Sequence, residues 1–273
     1  MFLGAANGRS FSHYLDIFQK VGYDKPNFLN AGDPMSGLGT IINTAAILVG
    51  GLFGGVFGRF LKENAQETLT KVCGVSTLFI AVSGALEGML TVENGQITSG
   101  GAMLIIGCLA IGAFVGELLN IEDAFERFGE WLKIKTGNAR DKGFVDAFVT
   151  ASLTVCIGAM AIVGSIQDGI LGDYSILATK AVLDLIIIMV MTCSMGRGCV
   201  FSAIPVAVFQ GSITALAGLV KPLMTDAALG NLSLVGNVLI FCVGINLVWG
   251  KKIRVANLLP AVVVAVIAAF LHF

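Results

Sequence analysis

Eight apolar runs, each of about 17–25 residues and bounded by polar connections, dominate this chain. They fall at about 39–60, 72–90, 101–119, 145–165, 176–196, 199–220, 232–249 and 255–273. Roughly 20 apolar residues in a helix cross a hydrocarbon layer about 30 Å thick. A helix is also the form in which one segment satisfies all its own backbone groups in lipid. The expectation is therefore an all-α fold: a polytopic transmembrane helical bundle of about eight spans, turning sharply at Gly196-Arg197-Gly198 between the fifth and sixth. Composition supports it, because only 13% of the 273 residues are charged and 56% are hydrophobic. Soluble domains carry about a quarter charged residues. A net charge of −1 offers no electrostatic footprint for nucleic acid.

Basic residues set the expected orientation, since Lys and Arg accumulate on the cytoplasmic side. Connections one, three, five and seven hold twelve of them: Arg59, Lys62, Lys71, Arg127, Lys133, Lys135, Arg140, Lys142, Arg197, Lys251, Lys252 and Arg254. Connections two, four and six hold one, Lys221. This alternation predicts cytoplasmic odd connections, with both termini outside.

Residues 1–37 read as a polar tail and 38–273 as a single membrane domain. Phe11, Leu15 and Phe18 in the tail have the spacing of a short interfacial helix, and Met35 is an alternative start. In the third connection Ile121, Phe125, Phe128 and Leu132 share one helical face, while Glu122, Glu126 and Glu130 lie elsewhere. The pattern predicts an amphipathic helix on the inner membrane surface, with Trp131 at headgroup level.

Polar groups at membrane depth are costly and point to pathways or binding sites. Lys180 and Asp184 stand one turn apart in span five. Either they neutralise each other as an i, i+4 pair, or Asp184 stands alone in an apolar cavity and carries protons. At the outer end of span four, Gly164-Ser-Ile-Gln-Asp-Gly169 contains Gln167 and Asp168 and reads as an interrupted or terminating helix. Pro205, followed by Gln210-Gly-Ser212 and Thr214, marks a second interruption in span six, and paired interruptions are a pointer to transporter sites. Asn43 and Asn246 read as interhelical hydrogen-bonding amides. Glu87 enters through a faint likeness of Gly84–Leu90 to Gly164–Leu171. The candidate solute or ion pathway is thus Asn43, Glu87, Gln167, Asp168, Lys180, Asp184 and Gln210.

Enzymatic machinery is not evident. His13 and His272 lie near the ends, and the six cysteines form no CxxC pair. The glycines of span one (Gly50, Gly51, Gly54, Gly55, Gly58) and span three (Gly112, Gly116) fit neither a phosphate loop nor a dinucleotide fingerprint. They read as surfaces for close helix packing. No cofactor and no metal site are expected.

From Leu38 onward a set of motifs stands out: Leu38-Gly-Thr-Ile-Ile-Asn43, Ile111-Gly-Ala-Phe-Val-Gly-Glu-Leu-Leu119 and Phe148-Val-Thr-Ala-Ser-Leu153. Gly158-Ala-Met-Ala-Ile-Val-Gly-Ser-Ile-Gln-Asp-Gly169, Phe201-Ser-Ala-Ile-Pro205, Gln210-Gly-Ser-Ile-Thr214 and Asn257-Leu-Leu-Pro260 complete it. In these motifs the chain resembles the YqgA/YdfK-type family of bacterial inner-membrane proteins, a domain-of-unknown-function family. The resemblance implies a cytoplasmic-membrane location and brings no catalytic residues. The leading expectation is a secondary transporter or channel for a small solute or ion, with the lipid bilayer as its surroundings and its oligomeric state left open. The alternative is a non-transporting scaffold or sensor that recruits a partner through residues 121–142.

Overall fold

The computed structural model describes residues 36–93 and 96–271. The tail pattern at Phe11, Leu15 and Phe18, the start at Met35, and both histidines lie outside the described residues. Helices follow the apolar runs in order: α1 Leu38–Phe57, α2 Glu63–Met89, α3 Ala102–Leu119, α4 Ile121–Lys135, α5 Phe144–Cys156, α6 Ala159–Leu171, α7 Ser175–Met195, α8 Ala203–Ala215, the single turn α9 Ala217–Val220, α10 Asp226–Trp249 and α11 Pro260–Ala268. A small antiparallel hairpin, Leu90–Glu93 with Gln96–Ser99, joins α2 to α3. Among the described residues six helical stretches are long and apolar enough to span a bilayer, and up to seven if the bent pair α5 and α6 counts as one. Outward faces are apolar, with Ile41, Leu52, Phe79 and Phe114 each more than half exposed. The fold is an all-α polytopic membrane bundle.

Two runs depart from the simple expectation. The eighth is helical only over Val255–Ala268, shorter than a full span, because a 3-10 turn at Val255–Leu258 precedes Pro260. The fourth is broken by 63° at Ile157-Gly158, where Gly158 adopts φ 156° and ψ 144°. An L side chain rarely takes such a conformation. The Gly164–Gly169 segment, expected to interrupt or terminate this span, does not interrupt it: the helix runs through the segment and terminates two residues on, at Leu171. Its glycines admit neighbours: a Cβ on Gly164 would lie 2.8 Å from Leu177 Cδ2, and one on Gly169 would lie 2.4 Å from the Thr214 carbonyl oxygen. Pro205 likewise breaks nothing. It is the third residue of α8, where a missing N–H removes little from the helix.

Small residues set the register of the bundle. A Cβ on Gly50 would sit 2.3 Å from Leu185 O, one on Gly54 2.3 Å from Met189 O, and one on Gly58 3.0 Å from Cys193 O. Both sets of numbers rise together, so α1 and α7 run parallel with their backbones touching. Gly74, Gly84 and Gly88 meet Val248, Asn237 and Leu234 in falling order, so α2 and α10 are antiparallel. These directions gather Arg59, Arg140 and Arg197 at one end of the molecule, and Met195 beside them also faces the wall that carries Lys251. This is the basic end. A Val at position 54 has Met189 backbone and Thr192 side chain within contact, and neither can withdraw along a packed helix. Gly54→Val should therefore cost about 3 kcal/mol, at the upper end of overpacking penalties. Gly55→Val, whose Cβ meets nothing nearer than 4.0 Å, should be close to neutral in the same unfolding assay.

Candidate functional site

Three helices each bring two polar side chains, one turn apart, to a common interior point. From α1 come Thr40 and Asn43, from α7 Lys180 and Asp184, and from α8 Gln210 and Thr214, all less than 9% exposed. Lys180 Nζ donates to Asp184 Oδ2 at 2.5 Å and to the Val155 carbonyl at 2.9 Å. That carbonyl lies in the last turn of α5, where the break at Ile157-Gly158 ends the intrahelical ladder that would otherwise use it. The broken helix and the buried ammonium thus satisfy each other. The pairing alternative holds for Asp184, and the reading of it as an isolated carboxyl does not.

Asn43 Nδ2 donates to Asp184 Oδ2 at 3.0 Å and to Gln210 Oε1 at 3.2 Å. A carboxylate only accepts, so Asp184 fixes the Asn43 amide with its NH2 inward, and Asn43 in turn draws the Gln210 carbonyl oxygen. This leaves Asn43 Oδ1 and Gln210 Nε2 buried without hydrogen-bond partners among the described residues. One acceptor and one donor are therefore available beside a charge pair. Towards the end opposite the basic one, the Thr40 and Thr214 hydroxyls approach to 3.4 Å.

Asp168 lies at that far end and is fully buried. Its Oδ2 accepts from Gly39 N at 3.1 Å. Gly39 is the second residue of α1, whose preceding Gly37 supplies no side-chain cap. Asp168 therefore caps α1 from a neighbouring helix and faces the positive end of its dipole. Its Oδ1 has no partner among the described residues. Gln167 is half-buried and outside these bonds, and Glu87 is exposed near the end of α2. The fold brings together Asn43, Lys180, Asp184 and Gln210, sets Asp168 one step away, and leaves Gln167 and Glu87 apart. Sequence reasoning missed Thr40 and the Val155 carbonyl, and took Thr214 only as part of the expected interruption of span six. Helical spacing from Asn43 and Gln210 was the available signal for the two threonines.

From the basic end, a cavity of about 250 Å³ reaches inward, lined by Glu122, Asp146, Thr150, Leu153, Asn246 and Lys251 among others. Leu153 is two residues before Val155, so the cavity ends close to the break in span four. Asn246 holds the connection after α10, accepting from Lys252 N and Ile253 N and donating to Ile253 O. Beside it Lys251 pairs with Glu122 at 2.9 Å and with Glu126. Burial works against the Lys251 charge, yet the hydrogen bonds it donates to Glu126 and Glu122 more than offset this and raise its pKa above 10.5. A raised folded-state value stabilises the fold fully below the unfolded pKa. That contribution is lost as pH climbs through the higher value. Melting temperature should therefore fall more steeply above about pH 10.4 in the parent protein than in Lys251→Met.

The amphipathic helix of the third connection is α4, and most of its apolar face is turned to the protein. Leu132 is 4% exposed, and Ile121 and Phe125 pack on the main core. Phe128 stacks on Trp131 and meets Phe148 at a tilt of 59°, each ring centre 5.8 Å away.

A bundle of apolar helices around a buried polar cluster defines a class: a multi-pass α-helical membrane protein. The family model described as "Protein of unknown function (DUF554)" matches residues 38–270, and the chain belongs to that family. It is 28% identical over 232 residues to the "Uncharacterized membrane protein YdfK" of Bacillus subtilis (strain 168), covering 85% of this chain and 95% of that one. It is 26% identical over 232 residues to the "Uncharacterized protein YqgA" of Escherichia coli (strain K12), covering 84% and 94%. No solved structure matches the chain significantly.

Proposed function

We propose that this protein is a secondary transporter or channel for a small solute or ion in the bacterial cytoplasmic membrane, and not an enzyme. The basic end is cytoplasmic and both termini lie outside, as the alternation of Lys and Arg between connections supports. The observation that carries the reading is the pair of buried amide atoms without partners among the described residues, Asn43 Oδ1 and Gln210 Nε2, beside the Lys180–Asp184 pair at a broken helix. A buried polar atom left unpaired costs about 1–3 kcal/mol, so such a site persists where a ligand repays it. The pathway joins the cytoplasmic cavity, the cluster and the far end at Thr40, Thr214 and Asp168.

The test is flux into proteoliposomes across a panel of ions and small metabolites. Asn43→Ala and Gln210→Ala should each reduce flux of the transported species about ten- to hundredfold, the worth of one or two buried hydrogen bonds. Parental flux in both variants would sink the proposal. The recruiting alternative rests on the exposed Trp131, 53% accessible, and would instead respond to Trp131→Ala.

A further inference from the structure

A second cavity, of about 600 Å³, opens at the basic end, away from the polar cluster. Three arginines from three separate connections line it. Arg59 lies in the turn that closes span one, Arg140 follows α4, and Arg197 opens the 3-10 turn after α7. All three are exposed, and none takes part in an ion pair among the described residues. Arg254 at the same end behaves differently, bonding Glu117 at 3.0 Å as well as Asp123. One acid, Asp141, shares the wall with the three arginines, and its Oδ1 already accepts from Gly143 N at 3.0 Å. The wall thus carries three positive charges against one negative, a net of +2.

The space between the arginines is kept open by residues without side chains. Gly55, Gly58, Gly137 and Gly196 all border it. At Gly137 a Cβ would meet nothing within 4 Å, and at Gly55 nothing nearer than Thr192 Cγ2 at 4.0 Å. Three guanidinium groups on the wall of one open space suit a tetrahedral oxyanion, because each planar fork can give two parallel N–H bonds. The cavity lies at the ends of spans one and five, the level of lipid headgroups.

We propose that Arg59, Arg140 and Arg197 form a binding site for a phosphate group, supplied either by an anionic phospholipid headgroup or by free phosphate. The site is independent of the transport reading, since no residue of the polar cluster lines it. The full chain, purified in neutral detergent, is titrated with phosphatidylglycerol against phosphatidylcholine, and separately with inorganic phosphate, following the apparent Kd and the melting temperature. Phosphatidylglycerol-specific binding identifies a lipid site, and binding of inorganic phosphate alone identifies a soluble one.

Either result should weaken about tenfold or more in the triple variant Arg59→Gln/Arg140→Gln/Arg197→Gln, given the strength of charge-assisted bonds. Gly55→Leu, which fills the space without altering charge, should weaken it as well. Lys133→Gln/Lys135→Gln removes two basic residues that do not line the cavity and should bind like the parent. Equal binding by the parent and both cavity variants, or no preference of the parent for either phosphate source over phosphatidylcholine, overturns the site. The three arginines are exposed, so an unchanged ligand-free melting temperature of the triple variant separates loss of the site from loss of the fold.

Discussion

Lys180→Met should lower the unfolding free energy by about 3–5 kcal/mol, the usual result of removing one partner from a buried ion pair. It leaves the Asp184 carboxylate, 3% exposed, with a single donor from Asn43, and it strips the Val155 carbonyl of its partner. Asp184→Leu should be comparably harmful, because the ammonium then keeps only that carbonyl. The double variant Lys180→Met/Asp184→Leu should recover most of the loss, since two charges that need each other vanish together. Denaturation of the four proteins in one detergent measures the coupling. Losses that simply add would mean that the two charges are held by other groups. Flux separates function from fold: a stable double variant that no longer transports places the charges in the pathway, and one that transports normally makes them structural.

That pair also shows what a single sequence reveals of such a site. Lys180 and Asp184 are legible because two charges in an apolar run are rare and a spacing of four puts them on one face. Asn43 and Gln210 are legible for the same reason, as amides within spans. Their meeting is not legible, because it depends on α1 and α7 running parallel in backbone contact at Gly50 and Gly54. Glycine spacing announces close packing but does not name the partner helix.

The break in span four is the instructive error. Gly164 and Gly169 flank polar residues and suggest an interruption there, yet both serve contact with Leu177 and Thr214. Gly158, amid apolar residues, is the one in an unusual backbone conformation. Composition cannot separate these uses, since the same absence of Cβ permits close approach and unusual dihedrals. Apolar runs fix where the helices lie. They leave open that the last is short and that α4 turns its apolar face to the protein.

The docking of α4 leads to the second large effect. Glu122→Ala should cost about 3 kcal/mol, from lost charge-assisted bonds and an unpaired buried N–H. Glu122 is 2% exposed, and its Oε2 accepts from Ala256 N at 2.9 Å, at the start of the 3-10 turn Val255–Leu258. Its own N–H donates to Asn257 Oδ1 at 2.7 Å. Each segment thus caps the other: a side chain from the turn completes the first turn of α4, and a side chain from α4 completes the turn. Asn257→Ala should cost about 1 kcal/mol, as a cap does. Asp123→Ala, which removes only a half-exposed partner of Arg254, should cost under about 1 kcal/mol. Because the two caps hold one joint, the double variant Glu122→Ala/Asn257→Ala should lose less than the sum of the singles. The chain has two tryptophans, Trp131 in α4 and Trp249 at the end of α10, so in a Trp249→Phe background fluorescence reports α4 alone. Release of α4 below the global transition in Glu122→Ala, and not in Asp123→Ala, is the expected signature. Equal behaviour of the two would mean that Phe125, Leu132 and their core contacts hold the helix without the reciprocal caps.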